Sequence, residues 1–159
     1  CSVRRQRQMC IRDSSVPADL AALGLTVLEG TSADKEIITG TAADEVLGGG
    51  GGTADVLVGG GGDDIYFANG VTVRVIEAAG EGTDTLHVYR EWGRLDDNVE
   101  NLVLRGDIHS NGYGNALNNV LTGNDGRNRL EGGDGDDILN GGAHNDVLVG
   151  GEGLSLIHI

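Results

Sequence analysis

Acidic residues return at fixed places in this chain. Asp55 and Asp64 are nine residues apart, as are Asp137 and Asp146, with Glu45 ten residues before Asp55 and Asp84 between the two groups. Each closes a short run, and the fullest runs are GGGGDD (59–64) and GGDGDD (132–137). Carboxylates on such a lattice, beside glycines whose peptide carbonyls are unobstructed, make an all-oxygen environment. That is the chemistry of a hard divalent cation with irregular geometry, and calcium, which takes six to eight oxygens, fits it best. Glu45, Asp55, Asp64, Asp84, Asp137 and Asp146 are the expected carboxylate ligands. Gly60, Gly62, Gly133 and Gly135 are expected to shape the turns and direct carbonyls at the ion. Zinc and thiol chemistry are poorly served, because Cys1 and Cys10 are the only cysteines and His87, His109 and His144 stand far apart.

The spacing identifies the elements that hold these residues. A beat of nine is neither a helix period nor a strand alternation, so it is a repeat. In the second half the units are GNALNNVLT (114–122), GNDGRNRLE (123–131), GGDGDDILN (132–140) and GGAHNDVLV (141–149). In the first half they are GTAADEVLG (40–48), GGGTADVLV (50–58) and GGGGDDIYF (59–67), with Gly49 as an extra residue. GTSADKEIIT (30–39) is a looser ten-residue version, and AGEGTDTLH (79–87) fits with Ala79 in the first glycine place. The last three residues of each unit read as a short strand whose large apolar residue, the eighth of the unit, points inward. The preceding six must turn tightly, which glycine permits at positive φ. Two units then close one flattened coil of 18 residues, and coils stack as parallel strands about 4.8 Å apart.

Such a stack has a weakness. One large apolar side chain per unit falls short of the backbone entropy that nine ordered residues lose. The sixth-position acids of alternate units also fall on one edge, where unit charges about 5 Å apart repel by roughly 3 kcal/mol at an effective dielectric of 20. A divalent cation between them reverses the sign. The array is therefore expected to need calcium to fold.

These units match G-G-x-G-x-D-x-U-x, with U a large apolar residue, and the chain resembles the hemolysin-type (RTX) calcium-binding repeat family. The likeness covers most of residues 30–153, including VENLVL (99–104) and GNALNNVLTGN (114–124), which are similar to the family's connecting segment. It implies an all-β fold, a right-handed parallel β-roll, and calcium as the bound ion. It also implies a secreted, extracellular bacterial protein exported by one-step (type I) secretion machinery, whose catalytic domains lie elsewhere. The alternative is a non-catalytic module of a carbohydrate-active enzyme or surface adhesin. Trp92, Tyr89 and Tyr113 are the aromatics a sugar would use, although packing an irregular turn is their commoner role.

The chain itself is not expected to be an enzyme. It has no H-E-x-x-H or G-x-S-x-G motif, and no G-K-[ST] follows the glycine run at 48–52. Its formal charge of −14 argues against nucleic acid and anionic lipid as partners and for cations, and no apolar run reaches the length of a membrane span.

The two ends read as foreign. RRQRQMCIRDS (4–14) and LSLIHI (154–159) spell a sequencing adapter and its reverse complement, so residues 1–14 and 154–159 are expected to be adapter-derived, the former disordered. Without Arg4, Arg5, Arg7, Arg12 and Asp13, the remainder is three charges more negative than −14. The expected organisation is a lead-in at 15–29, irregular or with a short helix at 17–23, and a first array at 30–67. A β-rich connector continuing the roll follows at 68–113, then a second array at 114–153.

The sites are expected to be uneven. Asp137 stands opposite Asn119 and Asp146 opposite Asn128, neutral amides that should weaken both pairs, and the place beyond Asp137 holds Ser155. His144 occupies the fourth glycine place, which predicts a distorted or empty turn at 141–146.

Overall fold

In the computed structural model, residues 24–69 and 72–158 are described. The expected helical turn at 17–23 and the segment 1–14 lie outside them. The described residues contain strands and turns and no helix. Strands β1 (Thr26–Glu29), β3 (Glu45–Gly48), β5 (Ile65–Ala68), β7 (Thr85–Val88), β9 (Asn101–Leu104), β11 (Val120–Thr122), β13 (Ile138–Asn140) and β15 (Leu156–His158) form one sheet in that order. The other wall is split. β2 (Ile37–Thr39), β4 (Val56–Val58) and β6 (Arg74–Ile76) form one piece. β8 (Trp92–Arg94), β10 (Ser110–Tyr113), β12 (Asn128–Asp134) and β14 (Val147–Glu152) form the second. Every pairing is parallel. The chain is a parallel β-solenoid of about seven coils, of the β-roll kind that the repeat requires.

Register shows how the beat is kept. In the second array Val120 pairs with Ile138 and Arg129 with Val147, a rise of 18 residues per coil. In the first array Thr26 pairs with Glu45 and Ile37 with Val56, a rise of 19. Turns 30–36 and 49–55 both hold the additional residue, with Lys35 (φ 60) and Ala54 (φ 62) in the left-handed conformation. Gly49 is thus the visible sign of a seven-residue turn that the coil beneath it shares.

The eighth-position side chains fill the interior as expected. Leu47, Leu57, Tyr66, Leu121, Leu130 and Leu139 are fully buried in one cluster. Where β10 turns inward, Gly112 replaces a large residue. A Cβ there would strike Leu130 and Leu102, so the glycine makes room for two leucines of neighbouring strands. Val46 and Phe67 form a second small buried cluster with Leu25 and Ile65.

The connector keeps the stack but not the period. Ile65 pairs with Thr85 across 20 residues and Thr85 with Asn101 across 16. Because Val58 pairs with Ile76, Glu77 stands where the neighbouring coil has Gly59, and turn 77–84 holds two residues more than turn 59–64. The reading of Ala79 as the first-glycine equivalent is corrected accordingly. Beside this longer turn the second wall breaks between β6 and β8. Side chains bridge the gap: the Val75 N–H donates to Asp96 Oδ2 (2.7 Å), and Asn98 Nδ2 donates to the Glu77 carbonyl (2.9 Å).

Candidate metal centre

Glu45, Asp64, Asp84 and Asp137 lie along one edge of the solenoid, and Asp55 and Asp146 along the other. Glu45 opens β3 and the others sit immediately before a strand, so stacking coils stacks these residues. One carboxylate oxygen of five of them does structural work by accepting the backbone N–H of the equivalent residue one coil earlier. Asp64 accepts from Glu45 (2.8 Å), Asp84 from Asp64 (2.9 Å) and Asp137 from Asn119 (2.9 Å). On the other edge Asp55 accepts from Glu36 (3.0 Å) and Asp146 from Asn128 (2.8 Å). Glu45, one methylene longer, folds back onto its own turn and accepts from the Thr41 N–H (2.6 Å) and hydroxyl (3.0 Å).

The second oxygen is the informative one. Oδ2 of Asp55, Asp137 and Asp146 is buried and has no hydrogen-bond partner. Leaving a buried polar atom unsatisfied costs about 1–3 kcal/mol, more for a charged group. Among the described residues no lysine or arginine pairs with these six acids. Burial accordingly pushes the Asp137 carboxyl above the usual range, against the Asn119 N–H that lowers it.

The first glycine of each turn completes the arrangement. The space that its Cβ would fill is faced by oxygens: Asp137 Oδ2 and the Gly150 carbonyl at Gly132, and Glu45 Oε2 and the Gly59 carbonyl at Gly40. A Cβ on Gly141 would lie 2.6 Å from Asp146 Oδ2, and one on Gly49 3.0 Å from Asp55 Oδ2. A carboxylate oxygen and a peptide carbonyl from the next coil converging on a side-chain-free space is a donor set that suits calcium. Gly60 (φ 100), Gly62 (φ 97), Gly133 (φ 112) and Gly135 (φ 104) all take the conformation expected of turn glycines. A Cβ on Gly60 would collide with the Thr41 carbonyl.

The asparagine turns follow a different plan, which the sequence reading missed. Asn119 Nδ2 donates to the Glu100 carbonyl (3.1 Å) and to Asn115 Oδ1 (3.0 Å), while Asn119 Oδ1 accepts the Asn115 N–H (2.8 Å). Asn128 and Asn124 repeat the pattern, with Nδ2 of Asn128 donating to the Ser110 carbonyl (3.0 Å) and to Asn124 Oδ1 (2.9 Å). The amide NH₂ supplies the positive end that a cation would supply in the acidic turns. The signal was present as asparagine at the second and sixth places of both units, GNALNN and GNDGRN.

Turn 141–146 is not distorted by His144. The residue adopts φ 70, taking the left-handed conformation in place of glycine, and Asp146 keeps its ladder bond and its buried Oδ2. That conformation costs a non-glycine residue roughly 1–2 kcal/mol. Ser155 occupies the sixth place beyond Asp137, its hydroxyl buried without a partner, and Leu156 N–H donates to the Asp137 carbonyl (2.7 Å).

One further group was not read from the sequence. Asp64, Glu77 and Asp84 are all buried and each offers an oxygen within 4.8 Å of the others. The Tyr66 hydroxyl donates to Glu77 Oε1 and lies 3.5 Å from Asp64 Oδ2. Burial raises all three carboxyls. Asp64 rises to about 6 with the added charge of Glu45, Asp84 to about 6 with those of Glu100 and Asp64, and Glu77 to about 7 under the added charges of Asp84 and Asp64.

Fold and turns together define a parallel β-solenoid with oxygen-lined turns suited to calcium. Residues 113–148 and 122–157 match the family of the RTX calcium-binding nonapeptide repeat (4 copies), so this part of the chain consists of RTX repeats, and the family binds calcium in them. The first array lies outside the matched residues yet builds the same turns at 40–45 and 59–64. No curated protein and no solved structure matches the chain.

Proposed function

We propose that the chain is a calcium-folded module, with its ions held at the sixth-position carboxylates Glu45, Asp55, Asp64, Asp84, Asp137 and Asp146 and at the carbonyls of glycines such as Gly60, Gly62, Gly133 and Gly135. The buried, unpartnered Oδ2 atoms of Asp55, Asp137 and Asp146 carry this reading. A fold that strands three carboxylate oxygens without hydrogen-bond donors is arranged for a cation. The asparagine turns at the start of the second array supply their own donors and hold the stack where no ion is bound.

RTX repeats are characteristic of secreted bacterial proteins, and the energetics suit that setting. Inside the cell, where calcium is scarce, the uncompensated carboxylates keep the module loose, as passage through a one-step (type I) export channel requires. Outside, calcium at roughly 10⁻⁴–10⁻³ M, the range in which extracellular modules bind, orders it. The module is non-catalytic and its parent's activity resides in other domains. Among the described residues, no helix is long and apolar enough to cross a membrane. Trp92, 51% exposed with the Arg90 guanidinium 5.4 Å from its ring centre, favours a second reading as a carbohydrate-binding or adhesive module.

Asp137→Ala against Asp136→Ala tests the assignment. Asp136 is the adjacent acid, but it is exposed and accepts the Leu154 N–H (2.8 Å). Calorimetric calcium titration at fixed ionic strength should show one ion lost or weakened in Asp137→Ala and near-native binding in Asp136→Ala, since screening treats both charges alike. Equal losses would mean diffuse counter-ion attraction and would overturn the assignment.

A further inference from the structure

Glu77 belongs to no repeat. It enters the stack at the place of the first glycine, in the turn that holds two residues more than its neighbour, and its carboxylate points into the solenoid. We propose that Glu77 joins Asp64 and Asp84 in a three-carboxylate calcium centre that binds the first ion taken up by the chain.

Three observations carry this. The residues come from two consecutive coils, yet each places an oxygen within 4.8 Å of the other two. Glu77 is only 8% exposed, and its Oε2 is buried without any hydrogen-bond partner. Its Oε1 faces the same open space above Gly59 as Asp64 Oδ2 and the Tyr66 hydroxyl, a space that any side chain at position 59 would fill. The backbone N–H groups of Glu45 and Asp64 take Asp64 Oδ1 and Asp84 Oδ1, and the Tyr66 hydroxyl takes Glu77 Oε1, which leaves Glu77 Oε2 unanswered.

The centre differs from the turn sites in charge. Asp137 lies between Asn119 and Ser155 on its edge, whereas here three carboxylates converge. Calcium affinity rises with the number of charged ligands and the rigidity of the site, so this centre fills before the others. It sits where the second wall breaks between β6 and β8 and the period is lost. An ion there joins coils that the repeat no longer registers.

The inference takes the ion's identity from the calcium reading above, but does not depend on the turn sites. Calcium titration of the EDTA-stripped full chain by calorimetry tests it, comparing wild type with Glu77→Gln, which keeps the shape and removes one charge. The expected result is a tight first ion in wild type, weakened about tenfold or lost in Glu77→Gln, with the later ions retained. An unchanged first ion in Glu77→Gln, with calcium still bound, overturns this centre and leaves the turn sites standing. No calcium uptake by wild type overturns both. Should Glu77→Gln give no strand signal in saturating calcium, terbium luminescence excited through tyrosine decides. The first equivalent of terbium should be bright in wild type and lose about half or more of that emission in Tyr66→Phe, because sensitisation requires an excited phenol beside the ion and a phenylalanine ring is not excited at the tyrosine wavelength. Equal first-equivalent emission in the two overturns the proposal.

Discussion

Replacing Asp137 by asparagine separates the two jobs that its carboxylate does. Oδ1 accepts the Asn119 N–H at 2.9 Å, and an asparagine Oδ1 keeps that bond. Oδ2, buried and unpartnered, becomes an NH₂ group. One coil earlier on the same edge, the Asn119 amide donates to the Glu100 carbonyl, which shows what such a group does in this turn. Without calcium the substitution removes an unsatisfied buried acceptor, so Asp137→Asn should be more stable than wild type by about 1–3 kcal/mol. With calcium at 100 times its dissociation constant, wild type gains about 2.7 kcal/mol per ion, and the variant forgoes that gain at this site. The advantage seen in EDTA should therefore vanish in calcium. Urea unfolding followed by far-UV circular dichroism, in EDTA and in saturating calcium, gives both numbers. An equal calcium-induced gain in the two proteins would refute the reasoning, since Asp137 would then be only a turn former.

The glycines make a second contrast: Gly60→Ala should cost about 2–4 kcal/mol, from its positive φ and the collision with the Thr41 carbonyl, while Gly61→Ala should be tolerated because its nearest neighbour is 3.5 Å away. Thermal unfolding in calcium reads both. Asn128→Asp should destabilise the calcium-free protein by about 1–3 kcal/mol, because the donors to the Ser110 carbonyl and Asn124 Oδ1 disappear and a charge replaces them. Urea unfolding in EDTA checks it, and an unchanged midpoint would contradict the asparagine plan. For pH, a carboxyl whose pKa is raised on folding contributes stability that is fully present below its ordinary value and lost as pH rises through the folded one. With Asp64 and Asp84 raised from 3.8 to about 6 and Glu77 from 4.5 to about 7, the calcium-free fold should lose order between pH about 4 and 7. Far-UV circular dichroism in EDTA across that range should show strand signal falling with pH, and calcium at neutral pH should restore it.

Much of this architecture was legible because one physical requirement recurs. A six-residue turn followed by an inward leucine returns at Leu121, Leu130 and Leu139, and that beat alone predicts coils, parallel strands and a thin core. The sixth-position acids were legible for the same reason. What escaped depends on register between coils, which a linear beat does not contain. Glu77 looks like the end of a strand until Ile76 is paired with Val58; only then does it fall on the glycine place and meet Asp64 and Asp84. Asn119 and Asn128 read as weakened acids, because the carbonyls that their amides reach lie about 18–20 residues earlier. His144 read as a defect, although a residue able to adopt positive φ leaves the turn intact.

The central claim is that calcium supplies the charge compensation this fold lacks. Its most direct test is calcium titration of the EDTA-stripped full chain by calorimetry, with far-UV circular dichroism recorded on the same samples and magnesium as control at equal ionic strength. The expected result is saturable calcium binding with a parallel rise in strand signal, reversal by EDTA and no equivalent response to magnesium, which demands a stricter octahedral geometry. The same strand signal in EDTA and in calcium, with no saturable heat, would contradict it.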